Sequence, residues 1–291
     1  MGGTMSVDNK KTGWITGAGG LIGNYFVQTA AQFAPGWRVR GLARADLDLL
    51  DFAAVRKQFQ LDAPQLVLHC AALSQSPACQ KNPTLARRLN VEVTALLAEL
   101  AAEIPFVLFS TDLVFDGRAG NYDESAAVNP LSVYAETKVA AEKIVLTHPW
   151  HTVIRTSLNG GTSPTGDRGF NEQLRRAFAD GATLNLFTDE FRNPIHASVT
   201  AQATWELVRQ NQPGLYHVAG REKMSRWEMG RLMAARWPQL QPKLVAGSLK
   251  DYHGAPRSPD TTLNCAKIQK LLSLPLPGLT EWLAAHPGEV F

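Results

Sequence analysis

The sequence predicts an α/β fold, a doubly wound parallel sheet followed by a smaller mixed α/β lobe toward the C-terminus. Three observations carry that expectation. Short apolar runs alternate with longer helix-like stretches through the first half, as βαβ units require. The runs at 66–70 and 106–110 are nearly continuous rather than alternating, as in strands covered on both faces. A glycine-spaced turn, Thr16-Gly17-Ala18-Gly19-Gly20-Leu21-Ile22-Gly23, joins the first strand to the first helix.

Taken in order, strands are expected at 12–16, 38–42, 66–70, 106–110 and 152–155. Helices are expected near 21–33, 52–60, 84–103 and 133–147. Around 157 the texture changes to Ser157-Leu-Asn-Gly-Gly-Thr-Ser-Pro-Thr-Gly-Asp-Arg-Gly169, a stretch too long for an ordinary connection and therefore functional or mobile. Helix-like segments follow at 170–180, 201–209 and 225–237. The last opens with Ser225-Arg-Trp-Glu228, a capping-box pattern. A nucleotide-binding domain is expected over 11–156, completed by part of 195–220. The remaining segments, 157–194 and 221–291, form the substrate lobe. Trp205, Trp227, Trp237 and Trp282 read as lobe core, and His196 and His217 as packing or surface residues.

Composition bounds the rest. The chain has 291 residues, 45% of them hydrophobic and 19% charged, a balance typical of a folded globular protein. A net charge of +3 calls for no polyanionic partner, so no nucleic acid is expected. Cys70, Cys79 and Cys265 form no C-x-x-C pair and suggest neither a disulfide framework nor a metal site. No apolar run approaches the roughly 20 residues of a membrane span, and the polar opening stretch 1–11 is unlike a secretory signal. A cytoplasmic setting is expected.

Two groups of residues carry the chemistry, one suited to a dinucleotide and one to proton transfer. In the glycine turn, Gly17, Gly20 and Gly23 let the backbone approach a pyrophosphate, which would rest on the first amides of the helix at Leu21 and Ile22. The second strand is followed by Arg44 where a 2′-hydroxyl-binding carboxylate would stand. This favours NADP(H), while Asp46 nearby leaves NAD(H) open. Asp51 can accept from an adenine amino group, cap the next helix, or do both. Then Tyr134 and Lys138 lie at i and i+4, neighbours on one helix face. A lysine charge there is expected to lower the phenol's pKa from about 10, and Thr111 at a strand end to hydrogen-bond a substrate oxygen.

Gly17/Gly20/Gly23, Ser110-Thr-Asp-Leu-Val-Phe-Asp-Gly117 and Tyr134-x-x-x-Lys138 resemble the extended short-chain dehydrogenase/reductases, and within them the dTDP-4-dehydrorhamnose reductase group. Asn129-Pro-Leu-Ser-Val-Tyr134, Arg155-Thr-Ser157, Thr188-Asp-Glu-Phe-Arg-Asn-Pro194 and Arg257-Ser-Pro-Asp-Thr-Thr-Leu-Asn264 extend the likeness over 11–285. The resemblance implies a Rossmann-type domain, Thr111, Tyr134 and Lys138 as catalytic triad, and reduction of a nucleotide-linked 4-keto-6-deoxy sugar. It implies cofactor contacts from Cys70, Ala71, Ala72 and Asn90, and substrate contacts from Asp112, Phe115, Asn171, Arg192 and Arg257. A homodimer is carried by analogy alone.

The sequence departs from that pattern in places that bear on substrate identity. The family's R-P is Arg257-Ser258-Pro259, the family's P-T-x-x-x-D-L-A reads Pro194-Ile-His-Ala-Ser-Val-Thr-Ala201 without its threonine after the proline or its aspartate, and the loop 73–83 lacks an acidic residue. Leu113 stands where related dehydratases place a glutamate, which argues against dehydration. Two alternatives stay open. One is a non-catalytic NADP-binding subunit resembling the β subunit of methionine adenosyltransferase. The other is a sugar-nucleotide epimerase.

Overall fold

The computed structural model describes residues 10–254 and 256–291. Most of the polar opening stretch, 1–9, lies outside the described residues. The N-terminal half runs β1 (Lys11–Thr16), α1 (Leu21–Phe33), β2 (Trp37–Leu42), α2 (Phe52–Asp62) and β3 (Leu66–His69). Then come α3 (Ser76–Lys81), α4 (Pro83–Arg87), α5 (Val93–Leu100), β4 (Phe106–Thr111), α6 (Val133–Val145) and β5 (His151–Thr156). The C-terminal half opens with β6 (Asn159–Gly160), α7 (Phe170–Ala179), β7 (Thr183–Phe187), β8 (Phe191–Arg192) and β9 (Ile195–His196). It continues with α8 (Ala197–Gln210), β10 (Gly214–Val218), β11 (Met224–Ser225), α9 (Arg226–Arg236), β12 (Lys243–Gly247), α10 (Ala266–Gln269) and α11 (Leu279–Ala285).

Six parallel strands form the central sheet in the order β10-β5-β4-β3-β1-β2. The order in which successive strands are laid down reverses between β1 and β3, the switch point where open α/β sheets leave a crevice beyond the strand ends. Alternate residues feed two cores. Ile15, Leu68 and Phe109 face α1 and α8, while Trp14, Val67 and Leu108 face α2, α5 and α6. Phe26 of α1 meets Trp205 of α8 edge-on at 5.7 Å. Each fully buried side chain of this kind contributes about 1.5–3 kcal/mol.

Local signals set several helix starts. Asp51 accepts from the Ala54 amide at 2.9 Å and Ser132 caps α6. Ser225 and Glu228 form the reciprocal cap of α9 that the sequence suggests. The helix expected over 84–103 is instead divided, with a π-helical turn over Arg88–Glu92 between α4 and α5. The π turn inserts extra backbone at Asn90, and such turns recur at functional sites.

In the C-terminal half, β7 pairs with β12 in parallel and β8 with β11 antiparallel. The tryptophans divide between layers. Trp205 belongs to the sheet's helical cover and not to the lobe, because α8 crosses back onto α1, and Trp227 is only half-buried. Trp237 packs on Phe178, and Trp282 is stacked between His196 at 4.1 Å and His286 at 4.4 Å. Among the described residues no helix is long and apolar enough to cross a membrane.

Candidate active site

The C-terminal ends of β1, β3 and β4 bring the predicted groups to one edge. Gly17 has φ +72°, and a Cβ there would lie 2.6 Å from the Ala71 amide nitrogen. The turn after β1 and the segment Cys70–Ala72 after β3 thus touch backbone to backbone at the switch point. A Cβ at Gly23 would lie 2.4 Å from the Gly17 carbonyl oxygen, so α1 sits directly against its own turn. Gly20 caps α1 with no side-chain hydrogen bond, which leaves the first-turn amides, including those of Leu21 and Ile22, without a side-chain cap. This is a backbone cradle of the kind a pyrophosphate fits.

Among the described residues, Arg44 is held by no firm partner. Its side chain is 85% exposed, and its contact with Asp48 is loose at 3.8 Å. Arg40, by contrast, is committed to Asp62, which also takes the Trp14 indole N–H at 2.8 Å. Asp46 accepts from the Ala43 amide, so its carboxylate is spent on the turn. Asp51 serves as the cap of α2.

Tyr134 and Lys138 are both buried on α6, at 8% and 2% exposure. Burial pushes the phenol up, the nearby Asp112 carboxylate adds to this, and the Thr111 hydroxyl pulls it partly back. The expected lysine-driven lowering is therefore corrected. In the free protein the phenol is set by burial and Asp112 and is held protonated. Burial also lowers the Lys138 ammonium to about 8, opposed mainly by Glu142. Thr111 donates to Asp112 at 3.2 Å and accepts from the Leu113 amide, which fixes its hydroxyl at the strand end.

Asn90 sits on the π turn and is 1% exposed. Its Oδ1 accepts from the Leu73 amide at 2.8 Å, and its Nδ2 donates to the Leu73 carbonyl at 3.1 Å. It acts on the site from behind, through the loop that follows Cys70–Ala72.

The expected substrate residues divide. Asp112 is buried, and its carboxylate takes the hydroxyls of Ser157 at 2.7 Å and Thr261 at 3.0 Å besides that of Thr111. Phe115 has no exposed surface; it stacks on Tyr122 at 4.1 Å and lies under the Arg155 guanidinium. Arg192 is likewise buried, held by Glu190 at 3.1 Å and by the carbonyls of Phe191 and Ser258. These three face internal partners instead of an open cleft, because their polar or aromatic surface is already matched. Asn171 donates to the Gly161 carbonyl at 2.8 Å and keeps an unpartnered buried Oδ1. Arg257, about one-third exposed, pairs with Glu190 at 2.7 Å and packs over Phe187 and Tyr252.

Sequence reasoning missed two charged hubs. Glu190, fully buried, receives Arg192, Arg226 and Arg257. Glu142, 3% exposed, pairs with Arg155 and accepts from the Ser110 hydroxyl. The position of Glu142 four residues after Lys138 was the available signal. Cys79, against Tyr134 from α3, was also unforeseen in that place. His196 and His217 are packed, the first stacked on Trp282 and the second paired with the Tyr122 carbonyl at 3.0 Å.

Comparison with known proteins gives three kinds of likeness. A family described as "RmlD substrate binding domain" matches residues 13–286. Among curated proteins, the methionine adenosyltransferase 2 subunit beta of Xenopus laevis is 29% identical over 273 residues, covering 88% of this chain and 81% of that protein. A probable low-salt glycan biosynthesis reductase of Haloferax volcanii is 30% identical over 233 residues, covering 75% and 77%. Among solved structures, the dTDP-4-dehydrorhamnose reductase of Bacillus anthracis in complex with NADP shares the fold at TM-score 0.85 and 22% identity, covering 95% of this chain and 98% of that one. A hypothetical dTDP-4-dehydrorhamnose reductase of Sulfolobus tokodaii reaches TM-score 0.81 at 26% identity, covering 92% and 97%.

Proposed function

Given that the chain belongs to the RmlD substrate binding domain family, we propose that it is an NADP(H)-dependent reductase of a nucleotide-activated 4-keto-6-deoxy sugar. The observation that carries this reading is the juxtaposition of Tyr134 and Lys138, buried on one face of α6, with Thr111 at the adjacent strand end. The glycine cradle and the uncommitted Arg44 suit NADP(H), which when bound supplies the hydride.

The chain's own residues do the rest. Tyr134, held protonated by burial, is in the form that can give a proton to a carbonyl oxygen as it gains negative charge. Thr111 would turn its one hydroxyl proton from Asp112, a weak contact at 3.2 Å, to the same oxygen and so orient it. Lys138, charged at neutral pH, offsets the phenolate left behind on its own helix face. The lobe segments 157–194 and 221–291 would hold the nucleotide, with Arg257 reaching its diphosphate.

Tyr134→Phe tests the assignment. NADPH oxidation with a panel of nucleotide 4-keto sugars should fall by about 10²–10⁴, the contribution of a positioned acid, while NADPH binding stays near normal. Turnover unchanged by the substitution would refute the role. The likeness to methionine adenosyltransferase β subunits favours one second reading, a non-catalytic NADP-binding subunit. Co-purification with a larger enzyme, together with no oxidation of NADPH on any keto sugar, would select it.

A further inference from the structure

Tyr134, Lys138 and Glu142 recur at four-residue spacing, so α6 stacks them along one face, and all three are buried. A buried ammonium tends to surrender its proton, since burial disfavours the charged form. Glu142 is held firmly against that tendency. Its Oε1 takes the Ser110 hydroxyl and the Arg155 Nε–H at 3.1 Å, and its Oε2 takes the other arm of Arg155 at 2.7 Å. The guanidinium is fixed in turn over the Phe115 ring, 5.1 Å from its centroid, and approaches His217 Nε2 at 3.5 Å.

We propose that Glu142 is a positioning residue for Lys138, a clamped counter-charge that keeps the buried ammonium protonated for its work on NADP(H). The proposal rests on the cofactor reading above. Two arguments carry it. Buried ion pairs are weak stabilisers that apolar residues can often replace, so stability alone does not account for a carboxylate at this position. The other groups facing the cluster supply no equivalent charge. From β3, His69 is held neutral, its pKa at about 3, and the Cys70 thiol after it is pushed up by burial. From β10, His217 is neutral at about 4, and from β5 Arg155 adds a like charge. Asp112, beyond β4, acts on Tyr134. Glu142 is the anion on Lys138's side.

The test is NADPH affinity measured by nucleotide fluorescence from pH 6 to 10. Wild type should lose affinity as pH rises through the Lys138 midpoint, and Lys138→Met should lose that dependence. Glu142→Gln should move the midpoint down by about one unit or more, since an opposite charge about 6 Å away, one helical turn along a buried face, acts on that scale. Glu142→Gln/Arg155→Met, which removes the carboxylate together with the guanidinium that clamps it and keeps the test available if the single variant fails to fold, should fall between wild type and Glu142→Gln. Midpoints identical to wild type in folded variants would overturn the proposal, as would a wild-type pH dependence that survives Lys138→Met. A shifted midpoint in a protein that reduces no keto sugar would sink the proposed reductase activity and leave the role of Glu142 standing.

Discussion

Asn90 donates from Nδ2 to the Thr137 hydroxyl at 3.0 Å, and Thr137 lies between Tyr134 and Lys138 on α6. Because the same side chain also brackets Leu73 through both its amide and its carbonyl, one residue ties the loop after β3 to α6. Asn90→Ala would strand those partners. An unsatisfied buried polar group costs about 1–3 kcal/mol, so stability should fall by about 2 kcal/mol, visible as a lower melting temperature. NADPH affinity should fall with it. A variant with wild-type melting temperature and affinity would show that the loop is held by other means.

Arg44→Ala should weaken NADPH binding by about 10–100-fold and NADH binding hardly at all, since a hydrogen bond to a charged group contributes about 1.5–3 kcal/mol. Arg40→Ala is the matched control. Arg40 is engaged with Asp62, so its loss should leave the NADPH/NADH ratio unchanged. Paired titrations of the two nucleotides decide it, and equal weakening of both by Arg44→Ala would remove the arginine from the 2′-phosphate site.

These contrasts also mark how far the sequence could be read. The glycine turn and the Tyr134/Lys138 pair are local patterns, where a few residues fix both backbone and spacing, and they were legible as such. The π turn at Asn90 was not, because no residue type in Arg88-Leu-Asn-Val-Glu92 marks an inserted turn within an otherwise helix-forming stretch. Long-range pairing was the other blind spot. Asp112 and Arg192 lie in motif strings that suggest contact with substrate, yet their partners come from Ser157, Thr261 and Glu190. A string gives the loop a side chain leaves from and not the direction it takes. Arg155 is visible within Arg155-Thr-Ser157, but its role depends on Glu142 across the sheet–helix interface.

Gly23 and Gly20 should respond differently to alanine. At Gly23 the new methyl would meet the Gly17 carbonyl oxygen at 2.4 Å, so α1 must move off its turn. At Gly20 the same atom lies 3.2 Å away, a distance that slight relaxation can absorb. Gly23→Ala is expected to cost about 1–3 kcal/mol and to depress NADPH binding strongly, as overpacking against backbone does. Gly20→Ala should keep most of both. Calorimetric binding curves for the two variants provide the comparison, and equal losses would mean that the close approach at Gly23 is not what shapes the cradle.

Glu190 supplies a pH prediction with a definite sign. Burial alone would raise its carboxyl, but Arg226 foremost, then Arg257 and Arg192, outweigh it and hold the group at about 2 against an ordinary 4.5. Between those values the unfolded chain binds the extra proton, so stability rises with pH across the window and is lost as pH falls from 4.5 toward 2. The full contribution is present above 4.5 and amounts to about 3 kcal/mol at 1.36 kcal/mol per unit. Glu190→Gln leaves three guanidiniums without their shared anion and should cost about 3–5 kcal/mol at neutral pH. Below pH 2 the wild-type carboxyl is itself neutral, and the two proteins should converge. Denaturant unfolding of both between pH 7 and 2 measures the gap directly. A gap that stays constant to the acid end would mean that the carboxylate's charge is not what holds Arg192, Arg226 and Arg257 together.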